Sequence, residues 1–367
     1  MENKLDVYFN GRIVGTIAKL NNKYAFQYDD NWIKDGFSIS LFSLPLKKEL
    51  FIPNDMTFNG FFGVFSDSLP DSWGNLLLDR FLHKNGIKDY DGLFRLACVG
   101  KNGMGALEYV PSKEYIIDSV LDFDNYQKEV DKILGSEDDI NIDLLYRYGG
   151  SSGGARPKAL FKIDNEEWII KFQSRYDINN SGVCEYEYSL VCKEIGINIP
   201  ETTLFDSKIN GGYFGIKRFD RTNDKKIHVI SAAALLEADF NTPCADYNDL
   251  FKLTKIVTRD NLNDIKELYL RMCFNVFAHN FDDHLKNFSY LYDEKTNNYR
   301  LSPAYDMTYS KTYYGEHTTS INHKGKDITL EDLIIVGTKA GLSKKYCEEK
   351  ALFVKELVNK KLIKYLK

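Results

Sequence analysis

The stretch that decides the fold is Ala278-His279-Asn280-Phe281-Asp282-Asp283-His284-Leu285-Lys286-Asn287-Phe288. It follows an apolar run with helical spacing over residues 265–277 and precedes a strand-like segment, Phe288-Ser289-Tyr290-Leu291. The pattern predicts a loop that leaves a helix and enters a hairpin. One hairpin downstream, the segment Ser302-Pro303-Ala304-Tyr305-Asp306-Met307 carries a second acidic residue, Asp306.

The spacing of the polar residues in this loop suggests a chemistry. Asp282 and Asn287 are five residues apart. The base and the metal-binding Asn of the kinase pattern H-R-D-x-x-x-x-N have the same separation. Asp306 stands where a kinase keeps the Asp that holds magnesium. The three residues together predict a phosphoryl-transfer site.

A glycine-rich segment precedes these residues in the chain. Residues 149–154 contain four glycines and two serines, followed by Ala155-Arg156-Pro157-Lys158. Backbone N–H groups in such a loop can surround a phosphate, and Arg156 and Lys158 add positive charge. The segment matches neither a Walker A nor a G-x-G-x-x-G sequence, and taken alone it is most often an ordinary hairpin.

Further features follow in the order of a kinase. Lys171 ends an apolar strand, where a kinase has its nucleotide-contacting Lys, although a surface lysine would look the same. Glu185 opens a predicted helix over residues 185–195 and is a candidate partner for Lys171, in competition with Glu187. Two predicted strands then lead into a hinge-like segment in which main-chain groups of Lys217 and Phe219 would meet an adenine.

Composition limits the class of protein. Hydrophobic residues make up 43% and aromatic residues 14% of the 367 residues, which is typical of a globular chain. The formal net charge of −5 argues against nucleic-acid binding driven by bulk charge. Six scattered cysteines form no C-x-x-C pair, so neither a zinc ribbon nor a disulfide framework is indicated. Without a signal-peptide pattern or an apolar run of roughly 20 residues, we expect a cytoplasmic protein without membrane spans.

The N-terminal third predicts a small antiparallel sheet. Residues 5–28 alternate between apolar and polar positions around Asn10-Gly11, the strongest short hairpin signal. A helix through residue 83 should follow, with Asp67 or Ser68 as its cap. From residue 248 onward the pattern is mostly helical. The predicted division is 1–110, 111–140 as a connection, 141–220 and 221–367.

Other readings of the central loop remain open at this point. His279, Asp282, Asp283 and His284 could be metal ligands of a hydrolase, but their spacing matches no metallohydrolase signature. A small-molecule kinase would share the Asp-to-Asn loop. A catalytically silent binding module would keep the fold but would not need Lys171, Asp282, Asn287 and Asp306 together.

The chain resembles the HipA family, the serine/threonine kinase toxins of bacterial toxin–antitoxin pairs. The resemblance runs over nearly the whole length and is most specific in Asp282-Asp283-His284-Leu285-Lys286-Asn287-Phe288-Ser289. The other matching segments are Val7-Tyr8-Phe9-Asn10-Gly11, Ser68-Leu69-Pro70-Asp71-Ser72, Gly153-Gly154-Ala155-Arg156-Pro157-Lys158, Ile169-Ile170-Lys171, Arg218-Phe219-Asp220-Arg221 and Leu301-Ser302-Pro303-Ala304-Tyr305-Asp306. The resemblance implies an α+β, protein-kinase-like bilobal fold with a small N-terminal antiparallel β/α subdomain and a helical C-terminal lobe.

The resemblance also implies roles for single residues and two cofactors, ATP and Mg²⁺. Asp282 would be the catalytic base, and His284 and Lys286 would act beside it in the catalytic loop. Asn287 and Asp306 would bind magnesium. The nucleotide would be held by Gly153, Gly154, Ala155, Arg156, Pro157, Lys158, Lys171, Lys217, Arg218, Phe219, His284, Asn287, Tyr305 and Asp306.

Regulation and partners are implied in the same way. Family members can autophosphorylate a serine before the glycine loop, which points to Ser151 or the adjacent Ser152. The implied partners are a HipB-like DNA-binding antitoxin, through which alone the complex would reach DNA, and a protein substrate from translation such as an aminoacyl-tRNA synthetase. Asp283 receives no role from the resemblance.

Overall fold

The computed structural model describes residues 3–113, 122–151, 153–175, 177–178, 180–222, 225–240, 242, 245–312 and 314–366. The chain forms two compact units. The first comprises Met1–Val183 and Thr202–Ile230, and the second comprises Cys184–Glu201 and Ser231–Lys367. The four-part division suggested by the sequence remains a prediction about domains.

The first unit begins with a five-stranded antiparallel sheet in the order β4-β3-β2-β1-β5. Its strands are β1 (Lys4–Phe9), β2 (Arg12–Leu20), β3 (Lys23–Tyr28), β4 (Leu50–Phe51) and β5 (Leu107–Val110). Asn10 and Gly11 both adopt positive φ, 46° and 81°, as a tight hairpin turn requires. The predicted small antiparallel sheet over residues 5–28 and its hairpin at Asn10-Gly11 are therefore confirmed.

Six helices accompany the strands of the first unit in the part of the chain that the structure describes. They are α1 (Asp30–Asp35), α2 (Gly63–Ser66), α3 (Ser72–Lys84), α4 (Gly92–Val99), α5 (Phe123–Gly135) and α6 (Ile142–Gly149). The predicted cap of α3 is wrong. Asp67 instead takes the C-cap position of α2, and the hydroxyl of Ser68 is 2.7 Å from that of Tyr109. The cap position of α3 belongs to Asp71, whose side chain makes no capping hydrogen bond.

A second antiparallel sheet of the first unit has the order β6-β7-β9-β8. Its strands are β6 (Lys158–Ile163), β7 (Glu166–Lys171), β8 (Thr202–Phe205) and β9 (Tyr213–Lys217). Their inward side chains join those of α3, α5 and α6 in one aromatic-rich core that includes Trp73, Leu77, Tyr126, Phe161 and Ile170. This core fixes the position of the glycine-rich segment, because that segment lies between α6 and β6.

The second unit is mainly helical. Its helices are α7 (Ser181–Ile195), which starts at the end of the first unit, α8 (Ala232–Leu236), α9 (Tyr247–Thr258), α10 (Leu262–Phe277), α11 (Leu330–Lys339) and α12 (Lys344–Leu362). The strands β10 (Val229–Ser231), at the boundary, β11 (Ala245–Asp246), β12 (Ser289–Asp293), β13 (Asn298–Leu301) and β14 (Thr319–Ser320) are short. β12 and β13 form the predicted hairpin, and β11 pairs with β14 in parallel.

The architecture is thus α+β, with antiparallel sheets in the first unit and a largely helical second unit, as the sequence predicts at this coarse level. The mostly helical pattern predicted from residue 248 onward is also confirmed, and its last helix is the long α12. Among the described residues, no helix combines the length and the apolar character that a membrane span requires.

Candidate active site

The central loop lies in the second unit and is shaped at both ends by main-chain hydrogen bonds. α10 ends at Phe277, and His279 follows with a positive φ of 53°. The N–H of Asn280 then donates to the carbonyl of Asn275 at 2.9 Å. At the other end, residues Leu285–Asn287 form a single 3₁₀ turn that leads into β12. The predicted helix–loop–hairpin arrangement is therefore confirmed.

The 3₁₀ turn brings Asn287 back onto the start of the loop. The amide Nδ2 of Asn287 donates to the main-chain carbonyl of Asp282 at 2.8 Å. Because a carbonyl oxygen only accepts hydrogen bonds, the amide nitrogen of Asn287 faces Asp282. The side-chain oxygen Oδ1 of Asn287 therefore points away from this contact. The five-residue spacing read from the sequence thus corresponds to direct contact between the two residues.

Asp306 is joined to the same loop through its main chain. Asn280 donates from Nδ2 to the carbonyl of Asp306 at 3.3 Å and to Oδ1 of Asn275 at 2.9 Å. Asp306 has φ = 54°, a left-handed conformation that Asp and Asn adopt more readily than most residues. The segment carrying Asp306 and the loop carrying Asp282 therefore share one buried asparagine.

Asp282 and Asp283 have opposite environments. The side chain of Asp282 is 58% exposed, and its Oδ1 lies 3.9 Å from Nε2 of His284. The side chain of Asp283 is fully buried. Neighbouring side chains in an extended segment point to opposite sides, so an inward Asp283 leaves Asp282 facing outward. This placement suits the predicted base, which has to reach an external hydroxyl.

Asp283 is the residue whose role the sequence did not reveal. Its Oδ2 accepts hydrogen bonds from the hydroxyl of Tyr247 at 3.0 Å and from Nδ1 of His317 at 2.9 Å. Its Oδ1 accepts from the main-chain N–H of Thr319 at 3.1 Å, and Thr319 Oγ1 donates to the Asp283 carbonyl at 2.6 Å. With both oxygens engaged inside the protein, Asp283 does not suit the metal-ligand role of the hydrolase alternative.

The sequence also did not indicate that His317 and Tyr247 belong to the site. Both are far from the loop in sequence and belong to no motif, so only their distance in space reveals them. The ring of His317 meets that of Phe281 edge-on at 4.9 Å. No group of three or more His, Cys, Asp or Glu residues within the described ranges is arranged to hold a metal ion.

His284 and Lys286 both pack on one aromatic ring. The Nζ of Lys286 lies 4.8 Å from the ring centre of Phe240, and the His284 ring centre is 5.5 Å from it. Tyr305 approaches from the other loop and donates from its hydroxyl to the Lys286 carbonyl at 2.7 Å. The predicted residues 284, 286 and 305 are thus close to one another, and Phe240 is an additional neighbour that the sequence did not suggest.

The glycine-rich segment lies in the first unit. The N–H of Gly154 donates to Oδ2 of Asp71 at 2.6 Å, and Gly154 has φ = 86°. A Cβ atom at Gly154 would collide with Nζ of Lys158, so that ammonium group lies directly beside the loop backbone. Arg156 is paired instead with Asp177, Nε to Oδ1, at 3.1 Å. The segment therefore brings one cationic group, Lys158, against a glycine whose positive φ other residues rarely adopt.

The remaining predicted nucleotide contacts are also in the first unit. Lys171 ends β7 with its Nζ 5.8 Å from the ring centre of Phe214. The Nζ of Lys217 forms an ion pair with Oε2 of Glu166 at 2.6 Å. Glu185, the predicted partner of Lys171, belongs to the second unit, and their ion pair stays a prediction. Ser151 follows the end of α6 and is half-buried, whereas Ser152 lies outside the described residues.

Arg218 takes part in a buried ion-pair cluster. Its Nη2 donates to Oδ2 of Asp220 at 2.7 Å and to the carbonyl of Gly103 at 2.8 Å. Arg221 Nη1 contacts the same carboxylate at 2.8 Å. Burial alone would raise the pKa of Asp220, but the two guanidinium groups outweigh it and the pKa is lowered. The Arg218 side chain is thus used inside the protein, and the predicted contact of Arg218 with adenine stays a prediction.

The fold and the site together define an α+β protein. Its glycine-rich segment belongs to the first unit, and the loop with Asp282 and Asn287 belongs to the second, together with the Asp306 segment. Family profiles match both parts of the chain. The HipA N-terminal domain matches residues 5–110, and the HipA-like C-terminal domain matches residues 150–361. The protein belongs to the HipA family.

Two relatives come from Sinorhizobium fredii. "Putative kinase Y4mE" is 24% identical over 90% of this chain and 82% of its own length. "Putative kinase Y4dM" is 29% identical over 48% of this chain and 47% of its own length. A Haemophilus influenzae protein named "Putative kinase" is 26% identical over 47% of this chain and 57% of its own. The chain thus spans about half the length of two of these relatives.

A solved structure has the same fold. It is the Shewanella oneidensis HipA protein in a complex with HipB and its operator DNA, with a TM-score of 0.74. The match covers 99% of this chain and 90% of that chain at 17% identity. At this level of identity, the likeness establishes a shared HipA-like fold.

Proposed function

We propose that the protein is an ATP-dependent serine/threonine protein kinase that acts as the toxin of a toxin–antitoxin pair. The observations that carry the proposal are that Asn287 contacts Asp282 directly and that the main chain of Asp306 is hydrogen-bonded to Asn280 of the same loop. Family membership and relatives named as kinases support the general activity. The serine/threonine specificity and the toxin role rest on the family resemblance.

The proposed reaction transfers one proton and one phosphoryl group. Asp282, exposed and beside Asn287, accepts the proton of a serine or threonine hydroxyl. The hydroxyl oxygen forms a bond to the γ-phosphorus while the bond from that phosphorus to the β–γ bridging oxygen breaks. ADP leaves with the bonding electron pair. Positioning and charge neutralisation supply most of the rate enhancement in reactions of this kind.

The residues present fit a magnesium ion. Asp306 offers a carboxylate, and Asn287 offers an amide oxygen because its nitrogen is engaged with Asp282. Carboxylate and amide oxygens are ligands that magnesium accepts, usually together with water and phosphate. A bound magnesium ion would neutralise negative charge on the β- and γ-phosphates.

The residues of the first unit are proposed to hold the nucleotide. Lys158 and Lys171 carry the positive charge for its phosphates, and Gly153 and Gly154 supply the flexible backbone around them. The main chain at Lys217, Arg218 and Phe219 is proposed to meet the adenine. Ala155 and Pro157 complete the loop.

The proposed partners follow from the family and from charge. The solved HipA relative is bound to HipB and operator DNA. A chain with a net charge of −5 is poorly suited to hold DNA by itself. We therefore propose that a HipB-like antitoxin makes the DNA contacts. The proposed substrate is a component of translation, such as an aminoacyl-tRNA synthetase.

The activity is tested by following the γ-phosphate of labelled ATP. Purified wild type, Asp282→Ala and Asp306→Asn are incubated with labelled ATP, magnesium and a bacterial cell extract. Asn at 306 removes the charge while tolerating the positive φ. We expect label on protein with wild type and none above background with either variant. Transfer that persists in Asp282→Ala, or label found only on small molecules, would contradict the proposal.

Autophosphorylation is tested separately. A phosphate on Ser151, next to the glycine loop, would keep the loop from closing over the nucleotide and inactivate the enzyme. Intact mass and ATP affinity are compared for wild type and Ser151→Ala. A singly phosphorylated wild type that binds ATP as well as the unmodified variant would contradict this regulation.

A further inference from the structure

The residues Asp283 and His317 form a buried pair that has no role in the reaction described above. One member of the pair, Asp283, nevertheless belongs to the loop that carries the proposed base. Asp283 follows the proposed base in sequence, and both members of the pair have side chains at most 2% exposed. A buried carboxylate is retained only where hydrogen bonds and charge compensate its lost hydration. Here three donors meet it, from Tyr247, His317 and Thr319.

The contacts continue from this pair to the second loop. The Tyr247 hydroxyl donates to Asp283 and accepts from Nδ2 of Asn275 at 3.0 Å. Asn275 Oδ1 in turn accepts from Asn280, which also donates to the carbonyl of Asp306. Every donor in this series of hydrogen bonds meets an acceptor. An unbroken series of hydrogen bonds therefore joins Asp283 to the main chain of Asp306.

The segment that carries His317 also holds the loop by its backbone. The N–H of Thr318 donates to the Phe281 carbonyl at 2.9 Å, and Thr319 contacts both the side chain and the carbonyl of Asp283. Thr319 itself belongs to β14, which pairs with β11 immediately before α9. The loop is thus held by hydrogen bonds at residues 281 and 283, while Asp282 between them stays exposed.

We infer that Asp283 and His317 are positioning residues that hold the Asp282 loop and the Asp306 segment in one fixed arrangement. His317 acts through its Nδ1–H donor to Asp283, and neither residue touches the reacting atoms. The kinetic part of this inference rests on the proposed kinase function. Rigid support of this kind matters because a displacement of about 1 Å at a catalytic group can cost about 100-fold in rate.

Matched substitutions at His317 separate the effect of its hydrogen-bond donor from the effect of its size. In His317→Asn the amide nitrogen replaces Nδ1 and can still donate to Asp283. His317→Leu has a similar size but no donor. Tyr269→Phe is the control, because it removes another buried hydroxyl of the second unit, one that donates to the Cys347 carbonyl at 3.0 Å.

We expect His317→Leu to lower kcat for phosphoryl transfer by about 10- to 100-fold, with the KM for ATP within about twofold of wild type. His317→Asn should keep most of the rate, and Tyr269→Phe should keep all of it. A His317→Leu protein that is folded and has wild-type kcat would overturn the inference. So would an Asn variant as slow as the Leu variant.

Amide hydrogen exchange gives a readout that does not need activity. Residues 279–287 should exchange faster in His317→Leu than in wild type, and Asn should restore the protection. Unchanged exchange in the Leu variant would also overturn the inference. If the wild type shows no Asp282-dependent transfer, the proposed kinase function fails, and the exchange result alone decides whether this pair positions the loop.

Discussion

Asp282 and Asp283 are adjacent in sequence, but their side chains are 58% exposed and fully buried, respectively. The kinase spacing predicts which of the two is the base. It does not predict what the other does, because the partners of Asp283 come from residues 247, 317 and 319. Local sequence patterns describe spacing along the chain, whereas a buried acceptor is defined by donors brought together by folding.

This contrast leads to a prediction about stability. Asp283→Asn would turn an amide NH₂ toward groups that are themselves donors, so we expect the free energy of unfolding to fall by about 2–4 kcal/mol. Asp282→Asn, at the exposed neighbour, should change it by less than about 0.5 kcal/mol. Urea unfolding of both variants measures the difference. Equal effects of the two substitutions would contradict the assigned environments.

A second prediction at the residue scale concerns pH. Burial lowers the pKa of His228 to about 4, although its ring donates from Nε2 to the Ile39 carbonyl at 2.9 Å, which opposes the shift. The folded protein therefore keeps His228 neutral while the unfolded chain protonates it below about pH 6.5. The stabilisation is fully present above pH 6.5 and is lost as the pH falls toward 4, by about 3 kcal/mol in total.

Urea unfolding between pH 7 and pH 4 tests this, with His228→Gln as the matched variant. Gln keeps an amide nitrogen as a donor and does not titrate. The free energy of unfolding of wild type should decline more steeply with falling pH than that of the variant. Parallel declines for the two proteins would show that His228 makes no contribution to the pH dependence.

At the scale of elements, the helices and strands that the sequence predicts are present, with boundaries displaced by up to four residues. The helix predicted over 265–277 is Leu262–Phe277, the helix predicted over 185–195 is Ser181–Ile195, and the strand predicted to end at Lys171 is Glu166–Lys171. Periodicity succeeds for these elements because each buries one face. The cap of α3 was missed because the polar residues before it are used over long range: Ser68 contacts Tyr109, and Asp71 contacts Gly154.

The Asp71 contact gives a prediction for the glycine loop. Asp71→Ala removes the acceptor of the Gly154 N–H, so we expect faster amide exchange at residues 153–157 and weaker ATP binding. Helix α3 should remain intact, because the Asp71 side chain does not cap it. Exchange mass spectrometry and calorimetry with ATP provide the two measurements.

Asp91→Ala serves as the control for this prediction. Its carboxylate accepts from the N–H of Phe94 at 3.1 Å and so caps α4. We expect a stability loss of about 1 kcal/mol without a change in exchange at the glycine loop. If both variants loosen the loop equally, the effect is general destabilisation and the specific role of Asp71 is contradicted.

For the whole molecule, the order of features along the chain indicated a kinase, and the resemblance of its motif segments indicated the HipA family, which the family profiles confirm. The sequence did not show that the N-terminal part and the part with the glycine loop form one compact unit, Met1–Val183 with Thr202–Ile230, because that division depends on long-range packing. It also could not show that the Arg218 side chain would be committed to Asp220. That pairing needs the carbonyl of Gly103, more than a hundred residues earlier, as a third partner.

A prediction at this scale uses ligand-linked stability. If the protein binds magnesium and ATP, both together should raise its melting temperature. The expected stabilisation is about 2.7 kcal/mol when the ligand is present at 100 times its dissociation constant. In Asp306→Asn the additional effect of magnesium over ATP alone should disappear. A magnesium effect of the same size in the variant would remove Asp306 from the metal site.

The most direct test of the account is single-turnover phosphoryl transfer by purified wild type and Asp282→Asn, with ATP affinity measured on the same samples. We predict equal ATP dissociation constants, with transfer to protein serine or threonine in wild type and a rate at least about 1,000-fold lower in the variant. Equal transfer rates in the two proteins would contradict the assignment of Asp282 as the base and, with it, the proposed active site.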